Sequence, residues 1–374
     1  PGEAVTLAYI DVDGLKDIND ALGHRIGDEL LIAIAGRLKD VLPSRAQCGR
    51  FDGDEFAVMT VAPDTDSAQA AIDALCGALT RPFWVNDQVV QVGVTAGLAH
   101  APRDAQTRDE LIRRADLALR AGKRKQRGGV AGFQRTMDAE FDERRFLERE
   151  LKRALADNAL KVHYQPIVSA GGGRIVGAEA LLRWDHPERG AIAPADFVPV
   201  AEHAGLMKPL GEFVLRQALS DAKRWPGLYI SVNLSPVQVR DPAMVSLVAQ
   251  VLAENELPAS RVLLEVTEGV LIDDPKEAKA RLGALQALGV RIALDDFGTG
   301  YSSLSYLQRF RFDKLKIDRG FVEPLGRDPN SQAMVQAIVA LGRALGLGLL
   351  AEGVETEEQR VLLRLAGCNE MQGY

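Results

Sequence analysis

Six short apolar runs from residue 159 onward each end in a polar residue that could bind a divalent metal ion or assist one. Patterns typical of helices separate most of these runs. Such a β/α alternation predicts a barrel with its catalytic groups at the C-terminal ends of the strands. So many acids on one rim would be unstable without cations, so the pattern indicates a metal site. The residues are Glu179, Asn233, Glu265, the neighbours Asp295 and Asp296, Lys316 and Glu352.

The neighbours Asp295 and Asp296 are the sharpest single feature of this set. Adjacent residues of a strand face opposite ways, so both can serve one site only if the chain turns at the strand end. Gly298 and Gly300 could supply that turn. One aspartate could then bridge two cations while the other holds the second, an arrangement typical of phosphoryl chemistry. Oxygen ligands without a Cys or His cluster favour Mg²⁺ or Mn²⁺ over Zn²⁺. The residues alone also allow acids that only cap helices.

A second group of candidate residues lies near the start of the chain. Asp11 follows a predicted strand at 5–10, and Asp54 lies in a predicted hairpin turn. If the hairpin pairs with the first strand, the two carboxylates converge and could hold Mg²⁺ on a triphosphate. Acids in turns and cations at a helix end would look the same. The further candidates, for phosphate and guanine contacts, are Lys16, Asn19, Asp28, Lys123 and Arg127.

The composition is typical of an ordinary soluble globular protein. The 374 residues suffice for two domains, and the net charge of −7 argues against binding to a nucleic acid polymer. The three cysteines form no metal motif or disulfide framework, which fits a reducing cytoplasm. No stretch is apolar enough for a membrane span. Because the chain opens almost directly on a strand, we expect an upstream region, through which any sensor or membrane attachment would come.

The hydrophobic periodicity predicts a first domain at residues 1–133, a connecting helix at 134–158 and a second domain at 159–374. Capping boxes and first-turn prolines mark helix starts in both domains. The elements predicted in the first domain are a strand at 5–10, a helix near 27–42, a hairpin at 49–51 and 56–60, a helix at 67–79, a strand at 89–99, a helix from about 107 to 123 and a strand at 130–133.

The second domain resembles the EAL family of cyclic di-GMP phosphodiesterases. The resemblance rests on the signature that begins Glu179-Ala180-Leu181 and on the later motifs around Asn233, Glu265, Asp295, Lys316 and Glu352. It implies a modified (β/α)8 TIM barrel with one antiparallel strand, expected at 163–167, and two Mg²⁺ or Mn²⁺ ions.

The EAL resemblance also implies roles for individual residues. Glu179, Asn233, Glu265 and Asp295 are similar to the ligands of the first metal, and Asp295 and Asp296 to those of the second. Glu352 and Lys316 resemble the pair that activates water, and Glu268 the anchor of the loop at 296–302. The implied substrate contacts are Gln165, Arg183, Asp318, Glu355 and Gln372.

The first domain resembles the GGDEF diguanylate cyclase family, whose fold is a palm-like α/β sandwich related to nucleotide cyclases. The carrying motifs begin at Asp11, Gly23 and Asp52. By this resemblance Asp11 and Asp54 bind metal, Asn19 and Asp28 contact guanine, and the contacts to phosphate come from Lys16, Lys123 and Arg127. Asp52 stands where the signature has its first Gly, which adds bulk and charge near a triphosphate.

Together the two resemblances imply a bacterial second-messenger protein. The expected function is hydrolysis of cyclic di-GMP to linear pGpG, regulated by a degenerate GGDEF domain that binds GTP with Mg²⁺ without turnover. Two alternatives stay open, a bifunctional cyclase and phosphodiesterase, and a cyclic di-GMP receptor without catalysis. A homodimer is expected, because joining two nucleotides requires two cyclase domains.

Overall fold

The computed structural model describes residues 4–125, 127–272, 274–298, 307 and 309–373. The chain divides into two compact units, with the division between Phe146 and Leu147. Among the described residues, no helix combines the length and apolar character that a membrane span requires.

The N-terminal unit is a five-stranded sheet with helices on both faces, in the strand order β2-β3-β1-β6-β7. Ala8, Ile10 and Val12 of the central strand pack with α2 and α3, whereas Tyr9 packs with α4 on the other face. This is the predicted α/β sandwich. Its elements are β1 (Ala4–Asp13), α1 (Leu15–Leu22), α2 (His24–Val41), β2 (Ala46–Asp52), β3 (Glu55–Ala62), α3 (Thr65–Leu79), β4 (Phe83–Val85), β5 (Gln88–Val90), β6 (Gly93–Ala101), α4 (Arg108–Lys125) and β7 (Val130–Gly132).

The strand predicted at 89–99 is wrong in its first part. β5 pairs with β4 in a separate two-stranded hairpin, and the strand of the main sheet begins only at Gly93. Asn86 and Asp87 both have positive φ, which is typical of a tight two-residue hairpin turn. This turn therefore favours a separate hairpin at residues 83–90. The periodicity also did not predict helix α1.

One helix, α5 (Arg135–Ala156), occupies the predicted connecting segment. Met137 and Phe141 pack against the α4 side of the N-terminal core, and Leu147 and Leu151 are buried. The division between the compact units falls within this helix, so its two halves belong to different units.

The C-terminal unit contains an eight-stranded barrel in the order β9-β11-β12-β13-β14-β15-β16-β8, closed by the pairing of β8 with β9. β8 is antiparallel to both neighbours, as predicted. The elements are β8 (Leu160–Ser169), β9 (Ile175–His186), β10 (Gly190–Ile192), α6 (Pro194–His203), α7 (Met207–Ala222), β11 (Tyr229–Leu234), α8 (Pro236–Arg240), α9 (Met244–Asn255), β12 (Val262–Thr267), α10 (Gly269–Ile272), α11 (Pro275–Ala287), β13 (Arg291–Phe297), β14 (Lys314–Ile317), α12 (Arg319–Val322), α13 (Pro329–Ala344), β15 (Gly348–Val354), α14 (Glu357–Ala366) and β16 (Glu370–Gly373).

The barrel interior is layered because side chains of a strand alternate between two faces. One layer is an apolar cluster that includes Leu263, Ala293 and Leu350. Each of these residues lies two positions before an acid on the same strand, namely Glu265, Asp295 and Glu352. The two-residue period therefore places the acids in the next layer toward the C-terminal ends of the strands.

Candidate active site in the barrel

Lys316 lies at the centre of the acidic layer, and its side chain is only 1% exposed. Its Nζ atom is 2.5 Å from Glu265 Oε2, 2.6 Å from Glu352 Oε1 and 3.0 Å from Asp295 Oδ2. Glu179 Oε2 is 3.9 Å away. Four carboxylates from strands far apart in the sequence thus converge on one ammonium group.

The carboxylates around Lys316 exceed the charge that one lysine can neutralise. Burial raises the pKa of Glu265 to about 8 and the pKa of Glu352 to about 7, although Lys316 opposes both shifts. Burial alone would lower the pKa of Lys316, but the surrounding carboxylates, Glu265 foremost, raise it well above its usual value. The cluster therefore favours additional positive charge.

Glu179 is held by two amide side chains. Asn233 Nδ2 donates to its Oε1 atom at 2.6 Å, and Gln372 Nε2 donates to its Oε2 atom at 2.6 Å. Gln372 Nε2 also donates to Gln165 Oε1 at 3.0 Å. Gln372 Oε1 is buried and has no hydrogen-bond partner among the described residues. A buried acceptor of this kind fits a site that a ligand or ion completes.

Asp295 and Asp296 serve the same site through an irregular strand. The pairing of β13 with β14 shifts register between Leu294 and Phe297, and Asp296 has φ of 53°. The turn therefore begins at Asp296 itself, and Gly298, one of the two glycines predicted to supply it, follows with φ of 99°. Oxygens of Asp295, Asp296 and Glu352 lie within 4.8 Å of one another, close enough to share a metal ion.

Glu268, the predicted loop anchor, accepts a hydrogen bond from Gly298 N at 3.3 Å. This contact holds the chain directly after the Asp295 and Asp296 pair. The rest of the predicted loop, from residue 299, lies outside the described residues, and so does Gly300.

Three predicted substrate contacts lie around the acidic layer but make local contacts. Arg183 lies on β9 four residues after Glu179 and donates to Leu182 O at 2.9 Å. Asp318 directly follows β14 and caps α12 through Gly320 N at 2.8 Å. Glu355 directly follows β15 and pairs with Arg319 at 3.3 Å. The latter two begin loops at the C-terminal ends of parallel strands, where TIM barrels bind substrate.

In the N-terminal unit, the predicted convergence of Asp11 and Asp54 is present. Val12 N donates to Asp54 O at 3.1 Å, which places the hairpin turn beside the end of β1. Burial raises the pKa of Asp11, and Asp54 adds to this shift. Lys123, predicted to contact phosphate, pairs with Asp11 at 2.5 Å. Helix α4 can bring Lys123 there because Gly97 lets it pack directly on β6, where a Cβ would lie 1.8 Å from Leu119 N.

The predicted guanine contacts differ in exposure. Asn19 Oδ1 is buried without a hydrogen-bond partner among the described residues, and Gly27 makes room for it, since a Cβ there would lie 1.9 Å away. Asp28 is exposed. Lys16 and Arg127, predicted to contact phosphate, are also exposed.

Two residues near these sites received no role from the sequence. Thr95 Oγ1 donates to Asp13 at 2.8 Å and accepts from Gly128 N at 3.0 Å, so it fixes an acid beside Asp11. Ser231 donates to Glu265 Oε1 in the barrel. The signal for Ser231 was its position two residues before Asn233 on one strand, which places both side chains on the same face.

Family models match the chain as two domains. Residues 148–374 match the EAL domain model, and residues 1–129 match the model described as diguanylate cyclase, GGDEF domain. The chain belongs to the EAL family. It carries a GGDEF domain before its EAL domain, so it is a tandem GGDEF–EAL protein.

Similar proteins include relatives in two bacteria. An uncharacterized signaling protein of Caulobacter vibrioides is 46% identical over 376 residues, covering 100% of this chain and 46% of the relative. The bifunctional diguanylate cyclase/cyclic di-GMP phosphodiesterase MucR of Pseudomonas aeruginosa is 41% identical over 371 residues, covering 98% of this chain and 54% of MucR. The chain therefore spans about half the length of these relatives.

A solved structure described as the PaMucR phosphodiesterase in complex with c-di-GMP is also similar to this chain. It is 46% identical with a TM-score of 0.59, and the match covers 61% of this chain and 94% of that one.

Proposed function

We propose that the EAL domain hydrolyses cyclic di-GMP to linear pGpG with the help of Mg²⁺ or Mn²⁺. The observation that carries this proposal is the convergence of Glu179, Glu265, Asp295 and Glu352 on Lys316 in one layer of the barrel. The similarity to MucR and to the PaMucR phosphodiesterase supports cyclic di-GMP as the substrate.

The donor set fits Mg²⁺ or Mn²⁺, because carboxylate and amide oxygens are the ligands these ions prefer. Glu179, Asn233, Glu265 and Asp295 would hold a first ion, and Asp295 with Asp296 a second. When bound, a pair of such ions stabilises charge on the scissile phosphate and lowers the pKa of water.

Glu352 is the proposed general base. It is the most exposed of the four carboxylates, with 20% of its side chain accessible, whereas Glu265 is completely buried. Lys316 holds the Glu352 carboxylate and remains positively charged among so many acids. In the proposed step, water attacks phosphorus, Glu352 accepts its proton, and the bond from phosphorus to the ribose 3′ oxygen breaks. The ring opens to a linear product, and the leaving oxygen takes up a proton.

The remaining barrel residues are proposed to position the substrate. Arg183 suits a phosphate because its guanidinium can donate to two oxygens at once. Glu268 would act indirectly, by holding the chain after Asp296 through Gly298. The other proposed contacts are Gln165, Asp318, Glu355 and Gln372.

Product analysis tests this proposal. Purified protein is incubated with cyclic di-GMP and Mn²⁺ or Mg²⁺, and pGpG is separated by chromatography. We expect linear product that disappears when the metal is chelated. Tight binding of intact cyclic di-GMP with no product would instead favour the non-catalytic receptor.

For the GGDEF domain we propose GTP binding without turnover. Asp11 and Asp54 would hold Mg²⁺, Asn19 and Asp28 would contact guanine, and Lys123 would exchange its contact with Asp11 for phosphate. The other proposed phosphate contacts are Lys16 and Arg127. The buried, unpartnered Asn19 oxygen supports a donor-bearing base at this position. Asp52 is in an extended strand, so its effect comes from its charge and size.

Bound GTP is proposed to act on the EAL domain through α5. The first half of this helix is fixed within the N-terminal unit, because Asp138 pairs with Arg113 at 2.7 Å and with Arg114 at 3.0 Å. Both arginines lie on α4, the helix that carries Lys123. In the second half, Glu150 lies 3.6 Å from His186 at the end of β9, the strand that carries Glu179. GTP titrated into the hydrolysis assay tests this route, and an unchanged rate at saturating GTP would count against it.

A homodimer remains part of the proposal, and light scattering on the purified chain measures the mass that decides it. The name of MucR keeps the bifunctional alternative open, since that relative carries both activities in its name.

A further inference from the structure

We infer that Ser231 is a positioning residue that orients Glu265 for metal binding. This inference rests on the proposal that Glu265 is a metal ligand. Ser231 is completely buried in β11, and its Oγ atom donates to Glu265 Oε1. The other carboxylate oxygen, Glu265 Oε2, faces Lys316 at 2.5 Å. The hydroxyl therefore fixes which oxygen of Glu265 is presented to the site.

Strand β11 donates a hydrogen bond to a carboxylate on each of its two neighbouring strands. In the barrel, Ser231 pairs with Glu179 on β9 and with Leu263 on β12, so it lies between the strands that carry two of the proposed ligands. Two residues further on, Asn233 donates to Glu179. One strand thus supplies a hydrogen-bond donor to the carboxylate on each side. Asn233 is exposed and open to an ion, whereas Ser231 is buried, with its Oγ atom near the far oxygen of Glu265 and 3.5 Å from Leu263 O.

Without the Ser231 hydroxyl, Glu265 Oε1 loses a hydrogen-bond donor while Lys316 holds only Oε2, so the carboxylate is less well oriented. Residues that hydrogen-bond a metal ligand without contacting the metal typically contribute about 10- to 100-fold to metal affinity. We therefore expect Ser231→Ala to weaken Mn²⁺ binding about 10-fold. Since the ligands themselves remain, kcat at saturating Mn²⁺ should stay within about threefold of the unchanged protein, while the Mn²⁺ concentration for half-maximal rate rises about 10-fold.

The test measures Mn²⁺ affinity by calorimetry and the metal dependence of hydrolysis for a set of variants. Ser231→Thr keeps the hydroxyl and should restore affinity, and Ser231→Cys keeps the volume with a weaker donor and replaces the alanine variant should that one fail to fold. Ser235→Ala is the matched control, because it removes a serine of the same segment that only caps α8. It should leave Mn²⁺ affinity unchanged.

Glu265→Gln separates this inference from the proposed function. If the unchanged protein binds Mn²⁺ and Glu265→Gln loses it, the ligand role stands, and equal affinity in Ser231→Ala would then overturn the positioning role alone. If Glu265→Gln binds Mn²⁺ as well as the unchanged protein, both the ligand role and this inference are wrong. Loss of affinity in Ser231→Thr equal to that in Ser231→Ala would also contradict a role for the hydroxyl.

Discussion

Both units of the molecule set a lysine against acidic residues that the sequence marks as metal ligands, but the two lysines differ in burial. In the GGDEF domain, Lys123 is 32% exposed and pairs with Asp11. In the EAL domain, Lys316 is 1% exposed and lies among four carboxylates. Water can reach Lys123 and share in neutralising the first site, whereas Lys316 and Glu265 are almost completely buried in the second.

This difference indicates that Lys316 alone cannot neutralise the carboxylates of the barrel site. Interactions between charges are stronger in a buried environment, so an excess of buried carboxylates is destabilising until a cation joins them. The acids around Lys123, which include Asp13 and Asp54 as well as Asp11, are less deeply buried, so solvent screens their excess charge more strongly. We therefore expect the EAL domain to depend on divalent metal more strongly than the GGDEF domain does.

The largest effect is expected from removing a proposed ligand in the barrel. Asp295→Asn should lower kcat at least about 100-fold, because Asp295 is proposed to contact both cations and the charge they stabilise develops in the reaction. Steady-state hydrolysis of cyclic di-GMP measures this effect.

Glu370→Gln is the matched control for Asp295→Asn. Glu370 pairs with Lys314 inside the same barrel, and Lys314 also donates to Tyr229 at 2.8 Å, in a layer below the proposed ligands. Its loss should reduce stability and leave kcat nearly unchanged at a temperature where the variant is folded. Equal losses of kcat in both variants would show that Asp295 acts through folding alone.

The next effect sharpens the comparison of the two lysines. Lys316→Met leaves four carboxylates, three of them buried, without their ammonium and should destabilise the EAL domain by about 3 to 5 kcal/mol. Lys123→Met removes a partly exposed pair and should change stability by less than about 1 kcal/mol. Denaturant unfolding in the presence of a chelator measures both free energies. Mn²⁺ should recover part of the loss in Lys316→Met, and similar losses in the two variants would contradict the difference in burial.

The rival bifunctional function is tested at the GGDEF site. Asn233→Ala should be unable to degrade cyclic di-GMP, so any product of a cyclase would accumulate when this variant is incubated with GTP and Mg²⁺. We expect GTP to bind and no cyclic di-GMP to form, because Asp52 places a negative charge beside the triphosphate site. Accumulation of cyclic di-GMP would establish the bifunctional alternative.

The smallest expected effect concerns regulation. Asp138→Asn removes the charge that pairs with Arg113 and Arg114, so it should reduce the effect of GTP on hydrolysis about fivefold while the rate without GTP is unchanged. Asp142→Asn is the control, an exposed acid on the same helix. A GTP response that is the same in both variants would remove α5 from the proposed route.

Much of the fold could be predicted because the local signals agree with it. The cap and first-turn proline at Ser235 and Pro236 and the capping box at Thr356 mark helix starts that the structure reproduces. Because Glu265, Asp295 and Glu352 each end an apolar run, the sequence predicted that they share one rim of the barrel, and the structure places them in one layer. The hairpin of β4 and β5 was not predicted from the sequence. The apolar run that begins at Val89 hides the break between β5 and β6, and the hairpin is indicated only by the turn at Asn86 and Asp87.

The sequence predicted which residues form the candidate site better than it predicted how they are arranged. Asp296 has a left-handed backbone, which brings it to the same site as Asp295. This conformation accompanies the irregularity in β13, and no residue type in the sequence predicts that irregularity. The contact from Ser231 to Glu265 depends on which strands are neighbours in the barrel. Strand neighbours are a property of the closed sheet, so single-strand patterns do not contain them.

Anomalous X-ray scattering from crystals soaked with Mn²⁺ tests the central claim most directly, since it locates the cations themselves. The account predicts two Mn²⁺ ions about 3.5 to 4 Å apart at the mouth of the barrel, the first contacted by Glu179, Asn233, Glu265 and Asp295 and the second by Asp295 and Asp296. Anomalous peaks that avoid these carboxylates, in crystals that bind Mn²⁺ elsewhere, would contradict it.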